Sequence, residues 1–210
     1  MSNGTKVKKR DGRIEPLNLD KMHLMVEEAC KGLAGVSASQ VEIQSGIQFY
    51  DGITTAQIQE ILIKSASDLI DLDHPNYQFV AARLLLFAVR KNLYGRRHKL
   101  PNLIDHIQEK AYNDVYDKEI FDKYSQEEIK KVDGYLDHDR DFLFTYAGLR
   151  QVVDKYLVQD RSTGEVYETP QFMYIMIALT IFLFVTEEGW YVSLLLLIAV
   201  EFKRKPLFLK

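Results

Sequence analysis

One cysteine, one tryptophan and five prolines in 210 residues leave little material for the chemistries and architectures that depend on them. A single thiol, Cys30, can neither close an internal disulfide nor build a Cys-rich zinc ribbon, and the first residues carry no charged-then-apolar leader segment. Both features predict a reducing, cytoplasmic setting. No Gly-x-x-x-x-Gly-Lys-[Ser/Thr] loop and no Gly-x-Gly-x-x-Gly fingerprint occurs, which excludes two common phosphate-binding motifs. Net charge is scarce as well. The formal value of −3 is too small to imply a nucleic-acid or anionic-membrane partner. The chain has no repeats and no low-complexity segment.

A hydrophobic content of 47% is enough for a packed core. Charge is unevenly placed: residues 1–21 hold six Lys or Arg against three acids, whereas residues 102–168 hold sixteen acids against nine bases. Within Val7–Leu17 an Asp11-Gly12 pair separates two short segments with some apolar alternation, the composition of a β-hairpin with positive φ at its turn. Asn18 or Asp20 can cap a following helix, in which Met22, Met25, Val26, Ala29 and Leu33 recur at helical spacing. Ser39 with Glu42, and Thr54 with Gln57, have the spacing of capping boxes and predict helices from about residues 40 and 55. Asp73-His74-Pro75-Asn76 breaks the third helix, and a fourth runs through Phe79, Ala82, Leu86, Val89 and Leu93 towards Gly95.

Residues 96–101 combine exposed charge with Pro101 and read as a linker. Beyond it helices are expected to dominate, with a capping box at Ser125 to Glu128 and a second hairpin around Asp160–Gly164. Met173–Val185 and Trp190–Val200 are apolar runs separated by Thr-Glu-Glu-Gly. Each is shorter than the roughly 18 to 20 residues a spanning helix needs, so a membrane anchor is not the preferred reading, although Lys203, Arg204 and Lys205 follow.

Lys8, Lys9 and Arg10 have two readings, one of them a solvated charge run. In the other, Lys9 and Arg10 before the hairpin turn and Lys21 after a capped helix start surround a triphosphate with cations and backbone N–H groups. Asp137-His138-Asp139-Arg140-Asp141 offers hard ligands, but its single His and lack of a Ca²⁺-loop glycine favour a structural turn with ion pairs. Cys30 falls on the apolar face of the first helix and reads as an inert buried thiol.

Val7-Lys8-Lys9-Arg10-Asp11-Gly12, Glu15 to Lys21, Gly52-Ile53-Thr54-Thr55 and Arg90-Lys91 together resemble the ATP-cone, a nucleotide-sensing domain of ribonucleotide reductase large subunits. Further strings continue the resemblance to the aerobic diphosphate-reducing class over about residues 6–180: Val41 to Gly52, Tyr77 to Leu84, Asp137 to Asp141 and Lys155 to Gln159. It implies a mainly α fold. A cone of four helices under a short β-hairpin lid would occupy residues 1–95, the helical start of the catalytic domain 96–182, and a divergent apolar tail 183–210.

Carried over to this chain, the resemblance implies an ATP or dATP effector, with Mg²⁺, bound by Lys9, Arg10, Glu15, Pro16, Leu17, Asn18, Leu19, Asp20, Lys21, Thr55 and Lys91. Gln59 departs from the family, whose members often have histidine there. No catalytic and no metal-ligating residue is assigned. Reductases of this class need a thiyl radical and a redox-active cysteine pair, so the chain is read as a regulatory part. Its implied partners are the remainder of the large subunit, which supplies those cysteines, and a radical-generating small subunit. Two alternatives stay open: a stand-alone nucleotide-responsive protein, and a non-functional truncated or membrane-associated fragment.

Overall fold

The computed structural model describes residues 4–46 and 48–183; the expectations for residues 184–210 lie outside them. The chain divides into two packed units, one of residues up to Arg97 with Phe144–Asp154, the other of His98–Leu143 with residues from Lys155.

In the first unit, strands Lys6–Lys8 (β1) and Ile14–Pro16 (β2) form the expected hairpin, with Val7 opposite Glu15. Its turn is closed by Lys9 N–H to the Arg13 carbonyl at 2.8 Å and Gly12 N–H to the Lys9 carbonyl at 3.0 Å. Gly12 has φ +85°, a left-handed conformation that glycine adopts without a Cβ penalty. The sequence did not reveal strand Ile53–Thr54 (β3), which pairs parallel to β1 and completes a sheet of order β2-β1-β3. Two residues are too few for an alternation pattern.

Four helices follow the hairpin: Leu19–Cys30 (α1), Ala38–Gly46 (α2), Thr55–Asp68 (α3) and Tyr77–Tyr94 (α4). Their apolar stripes meet in a core of Met22, Val26 and Ala29 from α1, Val41 from α2, Ile58, Leu62 and Ala66 from α3, and Val80, Leu84 and Phe87 from α4. Each large side chain buried this way contributes roughly 1.5 to 3 kcal/mol relative to its exposed state. Asn18 caps α1 by accepting from Lys21 N–H at 2.8 Å. The predicted Ser39–Glu42 box does not form. Ser39 lies inside α2, and Glu42 instead accepts from the His23 ring on α1 at 2.8 Å. The Thr54–Gln57 box does form, with Gln57 N–H donating to Thr54 Oγ1 at 3.1 Å and Thr54 N–H to Gln57 Oε1 at 2.9 Å. Thr54→Ala is expected to lower stability by about 1 kcal/mol, read from urea unfolding; an unchanged midpoint would show that the cap contributes nothing.

The second unit contains Leu103–Tyr112 (α5), Ile120–Lys123 (α6), Gln126–Asp133 (α7), a 3₁₀ helix His138–Leu143 and, after Tyr146–Lys155 (α8), which belongs to the first unit up to Asp154, the apolar helix Pro170–Leu183 (α9). Among the described residues no helix is long and apolar enough to cross a membrane. The second hairpin is reduced to one antiparallel bridge, Gln159 with Val166, around a turn held by the Asp160 carboxylate. Asp137–Asp141 enters the 3₁₀ helix as a turn, in which Asp137 Oδ1 accepts from Asp139 N–H at 3.1 Å. No cluster of three metal-ligating side chains occurs among the described residues.

A buried polar network lies in the core of this unit. His106 stacks on Phe172 with ring centroids 4.0 Å apart, and its Nε2 is 3.1 Å from the Tyr116 hydroxyl. That hydroxyl donates to Glu168 Oε2 at 2.5 Å, and Glu168 Oε1 accepts from Val158 N–H at 2.9 Å. Because the phenol proton goes to the carboxylate, the network fits a neutral His106 that donates from Nε2.

Candidate functional site

Pairing of β1 with β3 brings the basic end of β1 to the start of α3: Lys8 is level with Thr54, so Lys9 emerges beside Thr55, the first residue of that helix. The capping box uses the N–H groups of Thr54 and Gln57, and those of Thr55 and Ala56 have no acceptor within the helix. Lys9 Nζ lies 3.4 Å from Glu15 Oε2 across the hairpin, while Glu15 Oε1 also pairs with Arg13 at 3.1 Å. The hairpin thus presents Lys9 with its charge only partly balanced.

Arg10 reaches from the hairpin to the end of α4. Its NH1 donates to the Lys91 carbonyl at 3.2 Å and its NH2 donates to Asn92 Oδ1. The same carbonyl accepts from Gly95 N–H at 3.0 Å, where Gly95 with φ +68° ends α4 in the left-handed conformation. Lys91 occupies the last turn of α4, a place where a cation is favoured by the carbonyl end of the helix. Loss of solvent around the ammonium, and then the charges of Arg10, Arg97, Lys9 and Lys21, hold Lys91 below the ordinary lysine range. Five cationic side chains from the hairpin, α1, α4 and the segment after α4 therefore converge on one place, and none of the charges that shift Lys91 is acidic. Glu15 and Glu28 pair with Lys9 and Arg97, and the positive charge left over favours an anion at this place.

Not every residue named from the sequence enters that cluster. Asn18 Oδ1 is committed to capping α1, which leaves its amide N–H₂ as its free polar group. Leu17 N–H is bonded to the Thr5 carbonyl at 2.8 Å, while Pro16 ends β2, Leu19 starts α1 and Asp20 lies in its first turn. Gln59 donates to the Leu84 carbonyl at 3.0 Å and so ties α3 to α4. Two neighbours were missed. Arg97 was read as linker, but after the Gly95 turn its guanidinium sits 5.2 Å over the Phe87 ring and pairs with Glu28 at 3.3 Å. Asn92 has no sequence signal beyond following Lys91. Cys30 is half-buried, and desolvation pushes its thiol up to about 11, so at neutral pH it is neither thiolate nor nucleophile.

Residues 5–92 match the ATP cone domain, and residues 142–196 match the ribonucleotide reductase all-alpha domain. The two matches follow one another in the chain, and together they are similar to the N-terminal part of a ribonucleoside-diphosphate reductase large subunit. The chain is similar to ribonucleoside-diphosphate reductase 1 subunit alpha of Escherichia coli K12, 48% identical over 182 residues that cover 87% of this chain and 24% of that protein. The alpha subunit of Haemophilus influenzae is 47% identical over 182 residues, with the same shares covered. That of Enterobacteria phage T4 is 44% identical over 149 residues, 70% of this chain and 20% of the relative. The chain thus spans about a quarter of the length of its cellular relatives.

Proposed function

We propose that the first unit binds ATP and dATP and that the chain serves as the regulatory N-terminal part of a ribonucleoside-diphosphate reductase. The observation that carries this reading is the convergence of Lys9, Arg10, Lys21, Lys91 and Arg97 within and just beyond the stretch that matches an ATP cone. Phosphates would meet Lys9, Arg10 and Lys91 beside the positive end of the α3 dipole. Glu15 to Lys21 would line the rest of the nucleotide, and Thr55 would close the opposite side. Mg²⁺ would arrive with the nucleotide and neutralise phosphate oxygens.

Regulation requires the two effectors to bind two states of the assembly differently, since a ligand that binds both states equally shifts nothing. ATP and dATP differ by one 2′-hydroxyl, and couplings of about 1 to 3 kcal/mol are usual for effects of this kind. The partners would be a chain with the remaining reductase residues and a radical-generating small subunit. Cys30, the one cysteine, lies half-buried on α1 with its proton held, and it cannot supply both a thiyl radical and a reducing pair.

Mixing purified chains and measuring deoxynucleotide formation tests the reading. The chain alone is expected to reduce nothing, and activity is expected once the complementing chain and small subunit are added, with Cys30→Ser fully active. Reduction by the chain alone, or complete loss on Cys30→Ser, would place the catalytic centre elsewhere than proposed.

A further inference from the structure

Arg10 is held differently from the other cations of the site. Lys9 and Arg13 on the same hairpin pair with carboxylates, whereas Arg10 bonds two uncharged oxygens, the Lys91 carbonyl and Asn92 Oδ1. These acceptors fix its plane without cancelling its charge. A guanidinium carries five N–H groups in a rigid fork, so with two of them engaged, the rest, Nε–H included, are left for an anion. The contact also draws Arg10 to the helix turn that bears the Lys91 ammonium, although like charges repel. Hydrogen bonds to the carbonyl end of α4 offset that repulsion, because the Lys91 carbonyl has a second lone pair beside the one that accepts from Gly95 N–H, and this end carries the negative end of the helix dipole.

We propose that Asn92 is a positioning residue of the nucleotide site: together with the Lys91 carbonyl it fixes the Arg10 guanidinium beside the Lys91 ammonium, so that both cations meet one phosphate group. The inference rests on the nucleotide reading given above. Asn92 itself does not touch the nucleotide and acts only through Arg10. Fixing a flexible side chain before binding removes an ordering cost from the binding step, and that gain disappears if either partner is truncated.

Calorimetric titration of the full chain with dATP tests it. Asn92→Ala is expected to weaken binding about three- to tenfold, the net worth of one ordinary hydrogen bond, because Asn92 acts only through Arg10. The double variant Arg10→Ala/Asn92→Ala is expected to bind no more weakly than Arg10→Ala alone. That coupling distinguishes positioning from general damage to α4, which would weaken binding whether or not Arg10 is present. Native or tighter binding by Asn92→Ala, or additive losses in the double variant, would overturn the proposal. Native protein that binds no dATP would overturn the nucleotide reading and this inference with it, whereas native binding with an unaltered Asn92→Ala would overturn only the latter.

Discussion

Lys91→Ala and Lys9→Ala are each expected to weaken dATP binding by about ten- to a hundredfold, because a hydrogen bond to a charged group is worth roughly 1.5 to 3 kcal/mol. Lys130→Ala, an exposed lysine on α7 of the other unit, is expected to bind as the native chain does. The larger loss is expected at Lys91. Its ammonium is partly desolvated and surrounded by the charges of Arg10, Arg97, Lys9 and Lys21, so an approaching phosphate finds several cations already assembled. Removing Lys9 leaves Glu15 facing the site with one counter-charge fewer, which adds repulsion to the lost contact. Equal affinities for the two variants and the Lys130 control, measured by calorimetry, would reduce the basic cluster to a solvated charge run.

A second large effect is expected in acid, in the other unit. His106 is fully buried, and desolvation first, then the charges of Lys110 and His138, depress its pKa to about 3. In the unfolded chain an unperturbed histidine takes up a proton near pH 6.5. Between these values the unfolded state binds more protons than the folded one. The stability that neutral His106 provides is therefore complete above about pH 6.5 and is lost progressively as the pH falls towards 3, by about 2 kcal/mol between pH 7 and pH 5. Glu168 opposes this trend. Burial raises its pKa, and protons taken up by its folded form favour folding as the pH falls. His106→Gln keeps a donor for Tyr116 but does not titrate, so comparison of the two proteins isolates the histidine. Urea unfolding followed by circular dichroism at pH 7 and pH 5 is expected to show a steeper acid loss in the native chain. Parallel losses would mean that His106 is not the group that titrates.

The two parts of the molecule differed in how far the sequence disclosed them. In the first unit the signals were local: Asp11-Gly12 marked a turn that needs a positive φ, Asn18 and Thr54 marked helix starts, and helical spacing marked the apolar faces of α1 and α4. What escaped depended on tertiary contacts. Strand β3 exists because Ile53 and Thr54 lie beside β1, and nothing in two residues announces that. Glu42 had the spacing of a capping residue, but His23 on the neighbouring helix offered a better-placed partner. Arg97 looked like linker until the Gly95 turn brought it back over Phe87 and towards Lys91. In the second unit, His106, Lys110 and Glu168 are polar residues in the interior, which a search for apolar periodicity passes over. The Asp160 turn was legible, but the single bridge flanking it was read as a fuller hairpin.

Direct binding of ATP and dATP by the purified chain tests the central claim most closely, with Lys9→Ala/Lys91→Ala as the comparison. Calorimetry is expected to show saturable binding of both nucleotides by the native chain and its loss in the double variant, with the helical content of the two proteins unchanged. Failure of the native chain to bind either nucleotide, or undiminished binding by the double variant, would contradict the assignment of this cationic cluster as the effector site.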